Sequence, residues 1–266
     1  MLNLWLYFVI YAFLGWILEG IYQYIKTDKI VNRGFLHGPF VPLYGVGLVV
    51  FHFFYTEAIA PLDLDLWFTL IILFGFITII SSLIELLTGA VIETLFHLRY
   101  WDYSDEPCNI NGYITCKFSL AWGVLGTIVF YFLHLHLIIP MIERIDINTK
   151  TLLSALLLGY FIIDWTLTVI SLINFNTAIN KLIDVRKSVK TALHKQKTKF
   201  DQFITLNKLT DFITESKDMI KETLDLTNEK HLKTLIERLS SSRLYKAFPH
   251  LKIKHKRKNK DNNTKN

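Results

Sequence analysis

Five apolar stretches constrain this chain more than anything else in it. They run roughly over Leu2–Ile25, Gly38–Ala60, Leu66–Leu95, Phe118–Met141 and Thr151–Ile173. About 20 mostly apolar residues suffice to cross the hydrocarbon core of a bilayer as a helix. In hydrocarbon every backbone polar group must be paired within the protein, so such stretches are read as helices. The chain is therefore expected to be all-α, a polytopic membrane bundle of about five transmembrane helices. The third stretch is longer than a bilayer needs and is expected to tilt or to extend beyond it. Met1–Ile25 lacks the basic start and the small-residue cleavage site of a secretory leader, and it is long enough to span. Trp5, Tyr22, Tyr24, Trp67, Tyr100, Trp101 and Tyr103 fall near the segment ends, where aromatic rings favour the headgroup zone.

Charge gives the expected orientation. Of the 29 Lys and Arg residues, seven precede Asn174, namely Lys26, Lys29, Arg33, Arg99, Lys117, Arg144 and Lys150. The first loop holds three of them, the second is acidic, the third holds Arg99 and Lys117, and the fourth nearly cancels. Basic loops stay in the cytosol, so the N-terminus is expected outside, with loops one and three and the C-terminus inside. Residues 1–173 are read as the transmembrane domain and 174–266 as a basic cytosolic tail. Ile179, Leu182, Ile183, Val189, Leu193, Phe203, Ile204, Leu235, Ile236 and Leu239 recur at helical spacing, so the tail is expected to form amphipathic helices. From about Lys252 it is expected to be disordered. That end is either a solvated topology signal or a contact with anionic lipid, at about 1 kcal/mol per Lys or Arg near the surface. A chain tethered to a membrane is not expected to bind nucleic acid.

An internal likeness adds organisation. Asn32-Arg-Gly-Phe-Leu-His-Gly-Pro-Phe-Val-Pro-Leu-Tyr-Gly45 aligns without a gap on Ile110-Asn-Gly-Tyr-Ile-Thr-Cys-Lys-Phe-Ser-Leu-Ala-Trp-Gly123. Gly34 meets Gly112, Phe35 meets Tyr113, Phe40 meets Phe118, Tyr44 meets Trp122 and Gly45 meets Gly123. Residues 1–60 and 66–141 are thus read as parallel repeats, an arrangement known in transporters, with 151–173 as an extra helix. The alternative is chance likeness between two aromatic, Gly-rich helix starts. Gly38, Pro39 and Pro42 interrupt the start of the second helix. The 32–45 segment either folds inward to line a cavity or forms an ordinary interfacial turn.

Four acidic residues stand in or beside the spans: Glu19, Glu85, Glu93 and Asp164. Helical rise places Glu19, Glu85 and Asp164 in one layer, roughly 10–15 Å from the inner helix ends. A carboxylate facing lipid costs about 2.5–3.5 kcal/mol at mid-helix. These groups are expected to face inward, toward the nearby Arg33, Arg99, Lys117 and His37. They either hold loops through ion pairs such as Glu19–Arg33 and Glu93–Arg99, or they form a pathway for a cation, proton or polar head group. Tyr44, Trp101, Asp102, Tyr103, Asn111 and Trp122 complete the set of substrate or ion pathway candidates. Asp102 and Ser104 also suit a simple turn.

Other chemistry is not signalled. No catalytic residue, metal site or cofactor is expected. Cys108 and Cys116 are too few for a disulfide framework, and on the cytosolic side they should stay reduced. With His97 they form only an irregular metal-ligand pattern. His134 and His136 are read as interfacial, on opposing faces. The chain has no G-x-x-x-x-G-K-[ST] phosphate loop, no G-x-S-x-G and no H-E-x-x-H.

Glu19, the Asn32-Arg-Gly-Phe-x-x-Gly-Pro-x-x-Pro-x-Tyr-Gly block, Glu85, Glu93, Trp101-Asp-Tyr-Ser and Asn111-Gly-x-Ile together resemble the bacterial ABC-transporter type IV (CmpB-like) membrane family, as does the closing Tyr245-Lys-Ala-Phe-Pro. The resemblance implies a permease subunit that works with a separate ATPase, and it carries over no catalytic residue. Two other readings stay open: a membrane enzyme or binding protein acting on lipid head groups, and a scaffold or regulator working through its tail. Five helices make a small pathway for a bulky solute, so a homo-oligomer is an expected possibility.

Overall fold

In the computed structural model the described residues are 1–28, 32, 34–96, 98–194, 236–237, 239–242 and 252–253. The elements are α1 (Leu2–Thr27), α2 (Pro42–Phe54), α3 (Leu66–Phe96), β1 (Leu98–Arg99), β2 (Asn109–Ile110), β3 (Ile114–Thr115), α4 (Cys116–Ile128), α5 (Ile139–Glu143), α6 (Ile147–His194) and β4 (Lys252–Ile253). A π-helical turn, Tyr55–Ile59, and a 3₁₀ turn, Ala60–Leu62, prolong α2. A longer π-helical stretch, Val129–Ile138, joins α4 to α5. Five helical runs are long and apolar enough to cross a membrane: Leu2–Ile25, Pro42–Leu62, Leu66–Phe96, Cys116–Glu143 and Ile147–Asp184. The expectation of about five spans is met, and the protein is an all-α bundle.

The chain divides into two compact units, 1–90 with 101–175, and 91–100 with 176–266. In the first, one core gathers Leu6, Tyr7, Tyr11, Leu48, Phe51, Leu73, Ile77 and Phe130. A second gathers Val9, Ala12, Leu36, Phe40 and Phe161. Along α3, Phe68, Ile72, Ile79, Leu83 and Leu87 stay exposed. So long an uncovered apolar surface is costly in water and well solvated in lipid.

Helices that lack a hydrophobic drive to associate in lipid pack by close approach at small residues. A side chain on Gly45 would strike the carbonyl and ring of Phe8 in α1, and one on Gly123 would strike Thr78 and Phe74 in α3. Each second helix of a pair thus seats a glycine on the first. Ser82 Oγ donates to Ser119 Oγ at 2.7 Å between α3 and α4, a bond worth about 0.6 kcal/mol on average in membranes. Gly123→Leu should lower the unfolding midpoint in detergent by an overpacking cost of about 1–3 kcal/mol, whereas an unchanged midpoint would mean that α3 and α4 are not in close register.

The two π-helical stretches share a cause. Each ends two residues before a proline, Pro61 and Pro140. Proline removes one backbone N–H and crowds the carbonyl of the turn before it, and a locally wider turn relieves both. In the second stretch and α5 the wide turn buries residues four apart: Phe130, His134, Ile138 and Ile142. His134 is therefore fully buried rather than interfacial. Its Nε2 lies 3.0 Å from Nδ1 of His52, and the ring of Tyr7 stands edge-on to it.

In the second unit, β1 pairs antiparallel with β4, Leu98 opposite Ile253 and Arg99 opposite Lys252. Lys252 and Ile253 thus take strand geometry at the point where disorder was expected. Ile179, Leu182, Ile183, Ile236 and Leu239 are buried. The expected tail helices over Phe203 and Ile204 and at Leu235 lie outside the described residues, as do the Val189 and Leu193 side chains and the end of the tail beyond Ile253.

Candidate functional site

Four helices and one loop bring a set of acids and aromatic rings together in the first unit. Glu19 comes from the last third of α1, Tyr44 from the first turn of α2, Glu85 from α3 and Trp122 from α4. Tyr103 descends from the loop between α3 and α4. Tyr44 Oη donates to Glu19 Oε1 at 2.8 Å, and Tyr103 Oη donates to Glu85 Oε1 at 3.2 Å. Tyr44 stands edge-on to Trp122, with ring centroids 5.8 Å apart, and Tyr103 stacks on Phe118 at 4.8 Å. Glu85 is 8% exposed, and its Oε2 is buried with no hydrogen-bond partner among the described residues.

The loop that supplies Tyr103 is tightly built. Tyr103 N–H donates to the Gly112 carbonyl at 2.8 Å, and Trp101 Nε1 donates to the Tyr113 carbonyl at 2.8 Å. Burial, then the charge of Glu85 and its hydrogen bond, then the charge of Glu19, hold the Tyr103 phenol above its ordinary range. The sign follows: a neutral phenol favoured by the fold contributes stability below about pH 10, the unfolded value, and loses it as pH rises through the higher folded value. In an alkaline titration followed by phenolate absorbance, the wild type minus Tyr103→Phe difference should appear only well above pH 10. A difference at pH 10 itself would mean that the phenol is open to water.

The other singled-out residues fall elsewhere. Asp164 does not join Glu19 and Glu85. Its Oδ1 accepts the N–H of His37 and its Oδ2 the N–H of Gly38, both at 3.0 Å. Thr168 Oγ1 accepts the same His37 N–H at 3.1 Å and lies 2.9 Å from His37 Nδ1. This clamp holds the interrupted start of α2 against α6, with Leu36 fully buried beneath it. Gly38 suits this place, because a Cβ would displace Tyr160 Oη and crowd Asp164 Oδ2. Val41 N–H closes the segment on the Ala12 carbonyl of α1 at 2.8 Å.

Glu93 and Arg99 pair in the second unit, Nε to Oε2 at 2.7 Å. Asp102 Oδ1 accepts the N–H and the hydroxyl of Ser104, as in an Asx turn. Asn111 is exposed at φ 52°, in the turn between β2 and β3. Arg33 lies outside the described residues, and so does His97. Sequence reasoning missed Asn32, whose Oδ1 accepts from Trp16 Nε1 and Gly34 N–H while its Nδ2 donates to the His37 carbonyl. An Asn two residues before a Gly was the available signal. Nothing in the sequence signalled the His52–His134 contact, which joins residues 82 apart in the chain.

A bundle of five helices long and apolar enough to cross a membrane, with carboxyls and phenols gathered inside it, defines a membrane-type helical bundle with an internal polar cluster. Residues 6–169 match the family described as "Putative ABC-transporter type IV". The match covers more than half of the chain, and the protein belongs to that family. No curated protein and no solved structure matches the chain.

Proposed function

We propose that this protein is a permease subunit of an ATP-driven transporter, and that the Glu19–Tyr44–Glu85–Tyr103–Trp122 cluster binds a cationic, amine-bearing solute. The observation that carries this reading is Glu85 Oε2, a buried carboxyl oxygen without a partner among the described residues. A buried polar atom left unsatisfied costs about 1–3 kcal/mol, more if charged. An ammonium or guanidinium group bound there would remove that cost. Ring faces of Tyr44 and Trp122 would add cation–π attraction, about 2 kcal/mol where water is excluded. Intramembrane carboxyls facing a bundle interior mark solute and ion pathways.

Hydrolysis would come from a separate ATPase subunit, since the chain has no phosphate loop. Loops one and three and the basic tail would face the cytosol, with the tail against anionic lipid. The shared glycine seat and π-helical stretch of α2 and α4 support parallel repeats over 1–60 and 66–141.

The test is thermal unfolding of the detergent-solubilised protein with methylammonium, tetramethylammonium and guanidinium, against neutral and anionic compounds of matched size. A ligand at 100 times its Kd adds about 2.7 kcal/mol of stability. Stabilisation by at least one of the cations and by neither control is expected. Equal stabilisation by the neutral compounds, or none by any cation, would overturn the reading.

A further inference from the structure

The geometry points to a modification site outside the bundle: Cys108 and Cys116 form a vicinal dithiol that closes to an intramolecular disulfide by exchange with a small-molecule disulfide. The hairpin brings the pair together at one end. Asn109 lies opposite Thr115 and Ile110 opposite Ile114, and Cys108, in the left-handed region at φ 53°, and Cys116, the first residue of α4, are the next residues beyond the same end of that ladder.

Further contacts tie this end of the hairpin together. Thr115 Oγ1 donates to the Pro107 carbonyl at 2.8 Å on one side, and Lys117 Nζ lies 3.6 Å from Glu106 Oε2 on the other. These contacts lie beside the two cysteines. Cys116 Sγ already reaches the Cys108 carbonyl oxygen at 3.8 Å, and the two thiols lie within hydrogen-bonding reach of each other. Both cysteines are free and exposed, so a small disulfide can approach either.

The exchange balances. One cysteine thiolate attacks a sulfur of the small disulfide R–S–S–R, forms a mixed disulfide and expels one R–S⁻. The second cysteine thiolate attacks the protein sulfur of that mixed disulfide, forms the Cys108–Cys116 bond and expels the second R–S⁻. The protein gives up two protons and two electrons, and the small disulfide leaves as two thiols.

The test is incubation of the full-length, detergent-solubilised protein with excess oxidised glutathione. Maleimide labelling, intact mass and non-reducing electrophoresis are then read together. Expected are loss of both thiols in step, a mass lower by two hydrogens, a monomeric band, and full recovery with a reductant. Cys108→Ser and Cys116→Ser should each instead hold one glutathione as a stable adduct. Retention of glutathione on the wild-type chain, disulfide-linked chain pairs, or thiols that persist against excess oxidant would each overturn the proposal. Both side chains are exposed, so the two serine variants should fold like the wild type.

Discussion

Asp164→Ala should sharply reduce the folded, monodisperse yield and lower the unfolding midpoint. The Asp164 carboxyl accepts two backbone N–H groups from a segment that cannot pair them within a helix of its own. Gly38 N–H would lose its described partner, and His37 N–H would keep only Thr168 Oγ1. An unpaired Gly38 amide costs about 1–3 kcal/mol, a sizeable part of ordinary stability, and the loss of one of the two acceptors of the His37 amide adds to it. Asp164→Asn should fall between, because its amide keeps one accepting oxygen. Gly38→Ala should cost less and act by a different route, by pushing the ends of the Tyr160 and Asp164 side chains aside. Size-exclusion yield and thermal unfolding of the three variants give the ranking. A wild-type midpoint for Asp164→Ala would show that the clamp contributes nothing.

Glu85→Gln should leave the fold intact and remove cation binding. The glutamine oxygen can still accept from Tyr103 Oη, so the loop contact survives. What disappears is the carboxyl oxygen that has no partner among the described residues. Loss of a charge-assisted bond, worth about 1.5–3 kcal/mol, corresponds to roughly ten-fold or more in affinity. Tyr44→Phe should weaken binding less, since it removes a neutral donor and keeps the ring. If Glu85→Gln binds the cations as the wild type does, the cluster holds helices together and nothing more. An unfolded Glu85→Gln protein would show the side chain to be structural, and the contrast with Asp164→Ala would be lost.

Hydropathy alone made the five spans legible, because lipid leaves the backbone so few options. It also picked out the carboxyls within the apolar runs, since a charge in a long apolar run stands out. The grouping of those carboxyls was not legible. Glu19, Glu85 and Asp164 share a depth by helical rise, but depth does not fix rotation about the helix axis. The structure joins Glu19 and Glu85 through Tyr44 and Tyr103 and sends Asp164 to the His37–Gly38 amides. The His52–His134 contact was hidden for a related reason. Helical spacing puts His134 on the same face as Phe130, but spacing alone does not say which neighbouring helix that face meets, and His52 lies 82 residues away in the chain. Trp101, Asp102 and Asn111 stood out as polar and aromatic residues in a loop. Their contacts and backbone geometry are those of turns, which use the same residue types.

The clamp on α6 also bears on how the protein is made. His37 and Asp164 are 127 residues apart in the chain. At synthesis rates of about 5–20 residues per second, the segment before α2 waits roughly 6–25 s for its partner to emerge. During that interval the His37 and Gly38 amides must be hydrated or held by the insertion machinery. The N-terminal pair of spans can therefore enter the membrane early, but it reaches its final form only after the last span has arrived.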